Sequence, residues 1–412
     1  MRRQRKPINF FRIAVLLLMI GIVVYINQMV IPSIPTPFVD TPTATREPGS
    51  YLTEAEALFN DGKFFQAVAV YQEVVRIQPD NPAIHLAMAR AQIFAGQYDE
   101  SLTTTANALL LSPNNSMAHA LRAWALTRMG DFLPARESIL RALELDPNNG
   151  VAHAYYAFLL GNEYIATGSF DSITLAVEES RVAYDLSRNS LEARWSRAFI
   201  LELTDNREEA IQEYLAAIQI NPNIPELHID LGRTYSVLGV YDKAIEEYTL
   251  ANTFNPADPR PDLYSSRVER SRGSFALAAQ YAEQAVKDVP TDPYLRGNWG
   301  VMLYKYNDWP AAIEQLSLAI NGGMIDETLV VEPIRLSGGD VRIAEFFYTY
   351  ALILARVDRC GEALPIAQLI LSGVPTDEIA VYNAREINRL CEENLRNPTP
   401  NPTATLGPTP TP

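Results

Sequence analysis

The sequence contains fewer basic than acidic residues. Its 412 residues include 34 Lys and Arg against 49 Asp and Glu, so the formal net charge at pH 7 is −15. Because this balance repels phosphate backbones, it argues against a general nucleic-acid binder. Five of the basic residues lie within residues 1–12, ahead of any acidic residue, and without them residues 13–412 carry −20. The charge is therefore polarised along the chain.

Common catalytic motifs are also missing from the sequence. It has no Gly-rich phosphate loop, no G-x-S-x-G nucleophile elbow, no H-E-x-x-H zinc motif and no calcium-loop spacing. Histidine and cysteine are scarce, with four and two copies respectively. We therefore expect no catalytic residue, no cofactor and no metal, and we expect that the protein is not an enzyme.

Hydrophobic and charged residues are close to their usual share. They make up 48% and 20% of the chain, values near the averages of soluble globular proteins. Wholesale disorder and a polytopic membrane protein are both disfavoured by this composition. The middle of the chain is therefore expected to fold.

One long apolar run stands near the amino terminus. Every residue from Ile13 to Tyr25 is apolar or Gly, and the run resumes after Gln28 to end at Ile31. As a helix these roughly nineteen residues would span ~28 Å, about the thickness of a bilayer's hydrocarbon core. The basic residues before the run predict a transmembrane helix over 13–31, with residues 1–12 in the cytoplasm and the body of the protein outside it.

A cleaved secretory signal is the main alternative to this anchor, because it also begins with basic residues and an apolar stretch. The sequence Ile-Pro-Ser-Ile at 31–34 lacks the small residues of a cleavage site, and no Cys stands there to accept a lipid. A buried core helix is disfavoured by the flanking charge and the Pro-rich segment that follows. An uncleaved signal anchor is therefore the preferred interpretation.

Two Pro- and Thr-rich segments flank the middle of the chain, at 32–50 and 396–412. They lack apolar periodicity and favour extended polyproline II backbone. The first is predicted to be a linker that reaches at most ~59 Å at ~3.1 Å per residue, and so holds the body clear of the membrane. The second is predicted to be a disordered tail, and its threonines leave open the alternative of O-linked glycans.

The region between these segments has an internal period of 34 residues. Repeats counted from it start at 48, 82, 116, 191, 225, 259 and 344, with less regular units from 150 and 293. The period is marked by prolines at the end of each unit, namely Pro79, Pro113, Pro147, Pro222, Pro256 and Pro290. Such a period is typical of repeat proteins built from one supersecondary unit.

Each unit has small residues at fixed positions. The eighth residue is always small, as in Ala55, Ala89 and Gly232, and so is the first core site of the second half, as in Ala67 and Ala244. Small residues allow two antiparallel helices to approach closely, which predicts a helix hairpin. Glycines fall where the first helix must end and turn, at Gly62, Gly96, Gly130, Gly239 and Gly273.

These units resemble the tetratricopeptide repeat (TPR) family. One unit carries the whole pattern, with Leu231, Gly232, Tyr235, Gly239, Tyr241, Ala244, Tyr248, Ala251 and Pro256. The resemblance covers residues 48–377 and implies an all-α fold, an α-solenoid of about nine TPR helix hairpins over 51–377 that forms a superhelix.

Three features depart from the regular pattern. The unit that begins at Val151 needs about seven extra residues, close to two helical turns. An irregular insert at 324–341 precedes the ninth unit. Residues 378–395 have apolar residues spaced among charged ones, which predicts a terminal capping helix.

In the TPR family the first helices line a concave groove that takes extended peptides or partner helices. The resemblance places in this groove Arg90, Phe94, Trp124, Arg128, Phe158, Trp195, Phe199, Arg233, Arg267, Arg270, Tyr304, Lys305, Tyr348 and Arg356.

The groove residues differ in charge from the rest of the body. Seven of them are basic, and the acidic residues at the same positions are Glu56, Glu192, Glu202, Glu226 and Glu345, so this surface would carry +2. Arg and aromatic side chains together are typical of binding hot spots. We therefore expect the groove to bind other proteins through acidic or aromatic-bearing peptides. The alternative is that Arg solvates the helix faces and the aromatic residues pack the stack.

The four histidines are in phase with the repeat. His85, His119, His153 and His228 all occupy the fourth position of a unit. Packed helices lie roughly 8–10 Å apart, whereas zinc needs ligands at ~2 Å, so these histidines cannot share one ion. They are interpreted as packing residues between neighbouring units.

The family geometry places Cys360 and Cys391 at the same end of the stack. In an oxidising compartment they are expected to form a disulfide, and two buried thiols are the alternative.

Three functions are compatible with these features. The leading one is a membrane-tethered scaffold that mediates protein–protein interactions on the extracytoplasmic side. The others are a non-catalytic accessory subunit of a cell-wall or exopolysaccharide enzyme complex, and a structural surface protein. The anchor and the Pro/Thr flanks indicate a bacterial envelope protein.

Overall fold

The computed structural model describes residues 10–30 and 48–396. The predicted segments at 1–9 and 31–47, and the tail at 397–412, lie outside the described residues. The chain divides into two compact units, Met1–Tyr51 and Leu52–Pro412.

The first unit contains α1 (Phe10–Tyr25), a helix of 16 residues that is followed by a π-helical segment, Ile26–Val30. The apolar side chains along α1, such as Phe10, Leu17 and Val23, are exposed. Within the described parts of the chain, no helix has both the length and the apolar character needed to cross a bilayer.

The rest of the described chain forms nine helix hairpins and a terminal helix. The first helices are α2 (Pro48–Asn60), α4 (Pro82–Phe94), α6 (Ser116–Met129), α8 (Gly150–Thr167), α10 (Leu191–Leu203), α12 (Pro225–Val237), α14 (Arg260–Ser271), α16 (Pro293–Lys305) and α18 (Val341–Arg356). The second helices are α3 (Phe64–Ile77), α5 (Tyr98–Leu111), α7 (Phe132–Leu145), α9 (Phe170–Ser187), α11 (Arg207–Ile220), α13 (Tyr241–Phe254), α15 (Phe275–Asp288), α17 (Trp309–Asn321) and α19 (Cys360–Gly373). The prediction of an all-α solenoid of helix hairpins is confirmed.

The helix starts are specified by local sequence. Asn115 and Asn149 precede α6 and α8, and each side-chain oxygen accepts a hydrogen bond, at 3.1 Å, from the backbone amide three residues later. This satisfies one of the amides that a helix leaves free at its amino terminus. Because α2 already begins at Pro48, the last three residues of the predicted linker are helical instead.

The small residues of the repeat lie where two helices touch. Ala55, Ala89 and Ala157 are fully buried. A Cβ atom on Gly232 would lie 2.6 Å from Cε1 of Tyr248, and one on Gly300 would lie 2.5 Å from Cγ of Leu316. Glycine at these two positions therefore permits the close approach of the paired helices.

The turns inside the hairpins need a left-handed residue. The predicted glycines supply it, with φ of +74° at Gly62 and +84° at Gly130. Three hairpins use another residue in this conformation, namely Asp205, Asn307 and Asp358, with φ between +63° and +68°. Asn and Asp adopt the left-handed region more readily than other residues that carry a Cβ.

The periodic prolines and histidines form one repeated contact. Nε2 of His85, His119, His153 and His228 lies 2.8 to 3.3 Å from the carbonyl oxygen of the proline six residues earlier. In the eighth hairpin Nε of Arg296 donates to the carbonyl of Pro290 at 2.8 Å. Each such contact joins the start of a hairpin to the loop before it. Across residues 10–30 and 48–396, no group of acidic, His and Cys side chains is arranged to hold a metal ion.

The carboxyl-terminal hairpin is set apart by the insert. There β1 (Gly323–Met324) pairs antiparallel with β2 (Val330–Val331), with Gly323 opposite Val331. The terminal helix α20 (Glu378–Arg396) packs on α18 and α19. The structure joins Cys360, at the start of α19, to the buried Cys391 of α20, with their Cα atoms 5.5 Å apart.

Candidate partner-binding groove

The predicted groove residues lie on first helices that face one another across the interior of the solenoid. Arg90 and Phe94 are on α4, whereas Trp195 and Phe199 are on α10, three hairpins later. The rings of Phe94 and Trp195 stack with their centroids 6.2 Å apart. The solenoid therefore curves tightly enough to bring its second and fifth hairpins into contact.

The aromatic residues of the groove form one connected cluster. The ring of Phe94 lies 5.0 Å from that of Trp124, Trp195 lies 5.3 Å from Phe158, and Phe158 lies 5.5 Å from Phe199. Each of these five side chains is less than a tenth exposed. In this conformation they pack the interior of the solenoid and do not offer an open aromatic surface.

Two contacts close the interior beside this cluster. Arg90 donates to Oε1 of Glu192 through Nε at 3.0 Å and through Nη2 at 2.7 Å. The side-chain amide of Asn223 donates to the backbone oxygen of Asn60 at 2.9 Å. The second hairpin is thus joined to the fifth hairpin, and the first hairpin is joined to the loop that follows the fifth.

Arg233 is held by two carboxylates. Its Nε and Nη2 each donate to Glu202, both at 2.8 Å, and its Nη1 lies 3.2 Å from Oδ1 of Asp230. The indole of Trp195 donates to the other oxygen of Asp230 at 2.9 Å. Burial raises the pKa of Asp230, although the charge of Arg233 acts against this.

Arg270 is also held by a carboxylate. It makes a two-pronged pair with Glu345 on α18, at 2.8 and 2.6 Å, across 75 residues of sequence.

The remaining basic groove residues meet tyrosines. Arg128 donates to the hydroxyl of Tyr98 at 3.3 Å, and Arg267 donates to that of Tyr294 at 2.9 Å. The other two contact Tyr304. Arg356 donates to its hydroxyl at 2.9 Å, and the Nζ of Lys305 lies 5.8 Å from the centroid of its ring. The ring of Tyr348 is partly buried against the hydrophobic cluster that contains Phe347 and Leu352 of α18.

The positive charge of the groove is unevenly distributed. Glu192, Glu202 and Glu345 are paired with groove arginines, and Glu226 lies 3.5 Å from Arg260. Each of the three pairs cancels within the sum, so the surplus of +2 lies on Arg128, Arg267, Lys305 and Arg356, reduced by the charges of Glu56 and Glu226. The number of charges can be predicted from the sequence. Which of them pair cannot, because the pairing depends on the curvature of the solenoid.

A cavity of about 550 Å³ opens beside the pair of Arg90 and Glu192. We call it the first cavity. It is lined by first helices and by Tyr71 of α3, and its residues are Glu56, Phe59, Asn60, Tyr71, Leu86, Ala87, Arg90, Met117, Leu121, Val151, Tyr155 and Glu192.

No sequence signal marks Tyr71 or Tyr155 as site residues. Both look like ordinary bulky core residues of a helix hairpin, and only the cavity shows that they line an interior space.

A second cavity of about 330 Å³ lies further along the same interior, beside Trp195, Phe199 and Arg233. Its charged residues are Arg128, Arg233, Arg260, Glu202 and Asp230. Three of these are cationic and two are anionic, whereas the first cavity is lined by one cationic residue, Arg90, and two anionic ones, Glu56 and Glu192. The linings of the two cavities therefore differ in formal charge, which is −1 in the first and +1 in the second.

Comparison with known families agrees with this architecture. One family model described as tetratricopeptide repeat matches residues 58–125, and another of the same description matches 118–149 and 191–224. The chain contains tetratricopeptide repeats. The matched TPR segments cover the regular units that start at 82, 116 and 191, and the part of the first unit from residue 58 onward.

Two curated relatives share part of the TPR region. The chain is 28% identical over 116 residues to anaphase-promoting complex subunit CDC16 of Saccharomyces cerevisiae, a match that spans 28% of this chain and 14% of that protein. It is also 28% identical over 161 residues to BBSome complex member BBS4 of Bos taurus, spanning 39% of this chain and 30% of that protein. The chain thus spans less than a third of either relative.

A solved structure extends the likeness over most of the solenoid. The human IFIT1 dimer with PPP-AAAA aligns with 84% of this chain and 83% of its own, at a TM-score of 0.54 and 15% identity. At this identity the likeness concerns the TPR fold alone.

Proposed function

We propose that this protein is a membrane-tethered TPR scaffold that binds peptide or helical segments of partner proteins in the interior of its solenoid, on the extracytoplasmic side. TPR repeats mediate protein–protein interactions, and the chain contains them. The proposal rests on the first cavity. This cavity is lined by the first helices of the first five hairpins.

The names of the curated relatives support a role in assembly. One is a subunit of the anaphase-promoting complex and the other is a member of the BBSome complex. Both proteins therefore work as parts of multiprotein complexes. We extend to this chain only the general role of holding other proteins.

The proposed membrane tether is supported by sequence. The apolar run from Ile13 to Ile31 follows a basic cluster, and residues 10–25 are helical with exposed apolar side chains. The tether predicts that the protein stays in the membrane pellet after alkaline extraction, and that external protease removes the TPR body but spares an amino-terminal tag. A body protected from external protease would overturn the proposed orientation.

The partner-binding role is tested by photo-crosslinking in cells that express the full chain. A photoreactive residue replaces Ala87, which is half-buried and lines the first cavity. The matched control replaces Leu110, which is exposed on the second helix α5. The proposal predicts that a defined protein is crosslinked from position 87 and not from position 110.

The identity of the captured protein decides between the alternatives. An enzyme of envelope synthesis crosslinked from position 87 would make this chain an accessory subunit of that enzyme. Equal capture from both positions, or none from position 87, would contradict binding in the interior and favour a structural surface protein.

A further inference from the structure

The first hairpin forms one wall of the first cavity. Glu56, Phe59 and Asn60 of α2 and Tyr71 of α3 lie along this wall, and the other lining residues belong to the second to fifth hairpins. In a solenoid each repeat mainly contacts its neighbours in the stack. A contact between the first hairpin and the far side of this cavity is therefore additional to the stacking of the repeats.

Such a contact is made by the turn of the first hairpin. The side-chain amide of Asn223, in the loop after the fifth hairpin, donates to the backbone oxygen of Asn60 at 2.9 Å, across 163 residues of sequence. Gly62 lies directly against the same residue. A Cβ atom on Gly62 would lie 2.4 Å from the backbone oxygen of Asn223 and 3.0 Å from its Cβ. We call the contact of Asn60 and Gly62 with Asn223 the rim contact.

The repeat itself does not require the rim contact. Gly96 has the same φ of +74° as Gly62, but a Cβ atom on Gly96 would have no described atom within 4 Å. Asn148 holds the place of Asn223 in the loop after the third hairpin. Each follows a proline, and the backbone amide of each donates at 3.0 Å to the side-chain oxygen two residues earlier. The side chain of Asn148 is exposed, so only the pair of Gly62 and Asn223 takes part in closing the interior.

The space behind the rim contact is small. The first cavity measures about 550 Å³. Because an α-helix ~10 Å across rises ~5.4 Å per turn, it fills ~420 Å³ per turn, and the cavity has room for roughly one or two turns. A longer partner segment needs more space than this conformation provides.

The first hairpin can leave the rim contact without losing its place in the stack. The rim contact consists of one hydrogen bond and one close approach of a glycine. On its other side the hairpin packs on the second hairpin through buried rings. Phe59 and Phe64 lie 5.3 and 5.2 Å from Phe94, measured between ring centroids.

We propose that the rim contact is autoinhibitory: while it is formed, the first hairpin keeps a partner segment out of the first cavity, and binding requires the hairpin to move away from Asn223. This inference rests on the proposed scaffold function and names how access to its site is regulated. Only molecules with a broken rim contact bind, so the apparent affinity is reduced by the fraction of such molecules. A weaker rim contact raises that fraction and with it the binding of the partner.

The first test measures the position of the hairpin in the full chain in detergent. Spin labels are attached to cysteines introduced at Gln66 of α3 and Gln219 of α11, both of which are exposed. The native cysteines are joined to each other and do not take a label. Double electron–electron resonance then measures the distance between the labels. Gly62→Ala, whose Cβ collides with Asn223, should shift this distance to longer values, whereas Gly96→Ala should leave it unchanged.

The second test measures capture of the partner by the photoreactive residue at position 87. Gly62→Ala forces the rim apart, and Asn223→Ala removes its hydrogen bond. Each should increase the yield of the crosslinked partner by about threefold or more over the wild type. The matched controls are Gly96→Ala and Asn148→Ala, which should give the yield of the wild type. Thermal unfolding followed by circular dichroism verifies that each variant is folded.

Two outcomes would overturn autoinhibition and leave the scaffold function intact. These are an unchanged distance between the labels in Gly62→Ala, and a yield that rises in neither Gly62→Ala nor Asn223→Ala while the wild type still captures its partner. If neither the wild type nor any variant captures a protein from position 87, the scaffold function itself is contradicted, and autoinhibition falls with it.

Discussion

Arg90 on α4 donates two hydrogen bonds, at 3.0 and 2.7 Å, to a single oxygen of Glu192 on α10, 102 residues later in the chain. The pair has two consequences for the solenoid. It joins the second hairpin to the fifth, and it leaves the other oxygen of Glu192 free to face the first cavity. One contact thus contributes to both the closure of the interior and its capacity to bind.

Breaking this pair should destabilise the solenoid. Glu192→Gln leaves the guanidinium of Arg90 without its counter-charge, and removal of one partner of a buried pair costs ~3–5 kcal/mol. Because about a third of the Arg90 side chain is exposed, we expect a smaller loss of roughly 1–3 kcal/mol in the free energy of unfolding. Urea denaturation followed by circular dichroism measures it.

The control for this prediction is the surface pair of Glu73 and Arg76, whose side chains are 50% and 75% exposed. Glu73→Gln should change the free energy of unfolding by no more than ~0.5 kcal/mol. If Glu192→Gln were as mild as Glu73→Gln, the pair would not hold the interior closed.

Two buried tyrosines should respond differently to the loss of their hydroxyls. The hydroxyl of Tyr155 lies beside the guanidinium of Arg90 but makes no hydrogen bond of normal geometry, so Tyr155→Phe should change the free energy of unfolding by no more than ~1 kcal/mol. The hydroxyl of Tyr214 donates to Glu202 at 2.9 Å, so Tyr214→Phe should lower it by ~1.5–3 kcal/mol. Denaturant titrations of both variants test this, and a destabilised Tyr155→Phe would show that its hydroxyl has a structural partner.

His153 should make stability depend on pH. Its Nδ1 lies 2.5 Å from Glu179 and its Nε2 lies 2.9 Å from the carbonyl of Pro147. Burial lowers the pKa of His153, but the bonds to Glu179 and Pro147 outweigh burial, so the pKa is raised above its usual 6.5. The stabilisation is therefore complete below pH ~6.5 and is lost as the pH rises through the raised pKa. Melting temperatures of the wild type and of His153→Gln should converge as the pH rises.

His119 provides the contrasting case in the preceding repeat. Burial lowers its pKa, with further lowering from Arg141 and Arg122, although the carbonyl of Pro113 acts against this. Its contribution is present above the unfolded pKa of ~6.5 and is lost as the pH falls. The difference between the wild type and His119→Gln should thus shrink toward acid, and the same pH trend at both sites would contradict the assignment.

The disulfide between Cys360 and Cys391 should stabilise the end of the solenoid. It closes a loop of 31 residues, which in the chain-entropy model contributes roughly 3–4 kcal/mol. Reduction should lower the melting temperature of the wild type but not that of the double variant with both cysteines replaced by alanine. Peptide mapping that recovers both cysteines alkylated without prior reduction would contradict the bond.

The hairpins could be predicted because their determinants repeat locally. Units counted back from Pro113 and Pro147 start at 82 and 116, and α4 and α6 begin at these positions, at Pro82 and Ser116. The ninth hairpin begins three residues before the counted position, at Val341, because the insert before it breaks the period. Asp205 and Asn307 were not recognised as turn residues, since they reach the left-handed conformation without being glycine.

The groove could be predicted only in outline. Its helices follow from the repeat, but the pairing of Arg90 with Glu192 and of Arg270 with Glu345 depends on how far each hairpin rotates against the next. That rotation is the sum of many small packing contacts, and no local pattern in the sequence expresses it. For this reason the negative charge of the first cavity could not be predicted from the sequence.

Hydrogen–deuterium exchange of the full chain, alone and in complex with the partner crosslinked from position 87, tests most directly whether the partner binds inside the solenoid. Binding there should slow exchange in the first helices α4 and α10, which line the first cavity, and leave the second helices α5 and α11 unchanged. Protection confined to the second helices, with none in α4 or α10, would contradict binding inside the solenoid.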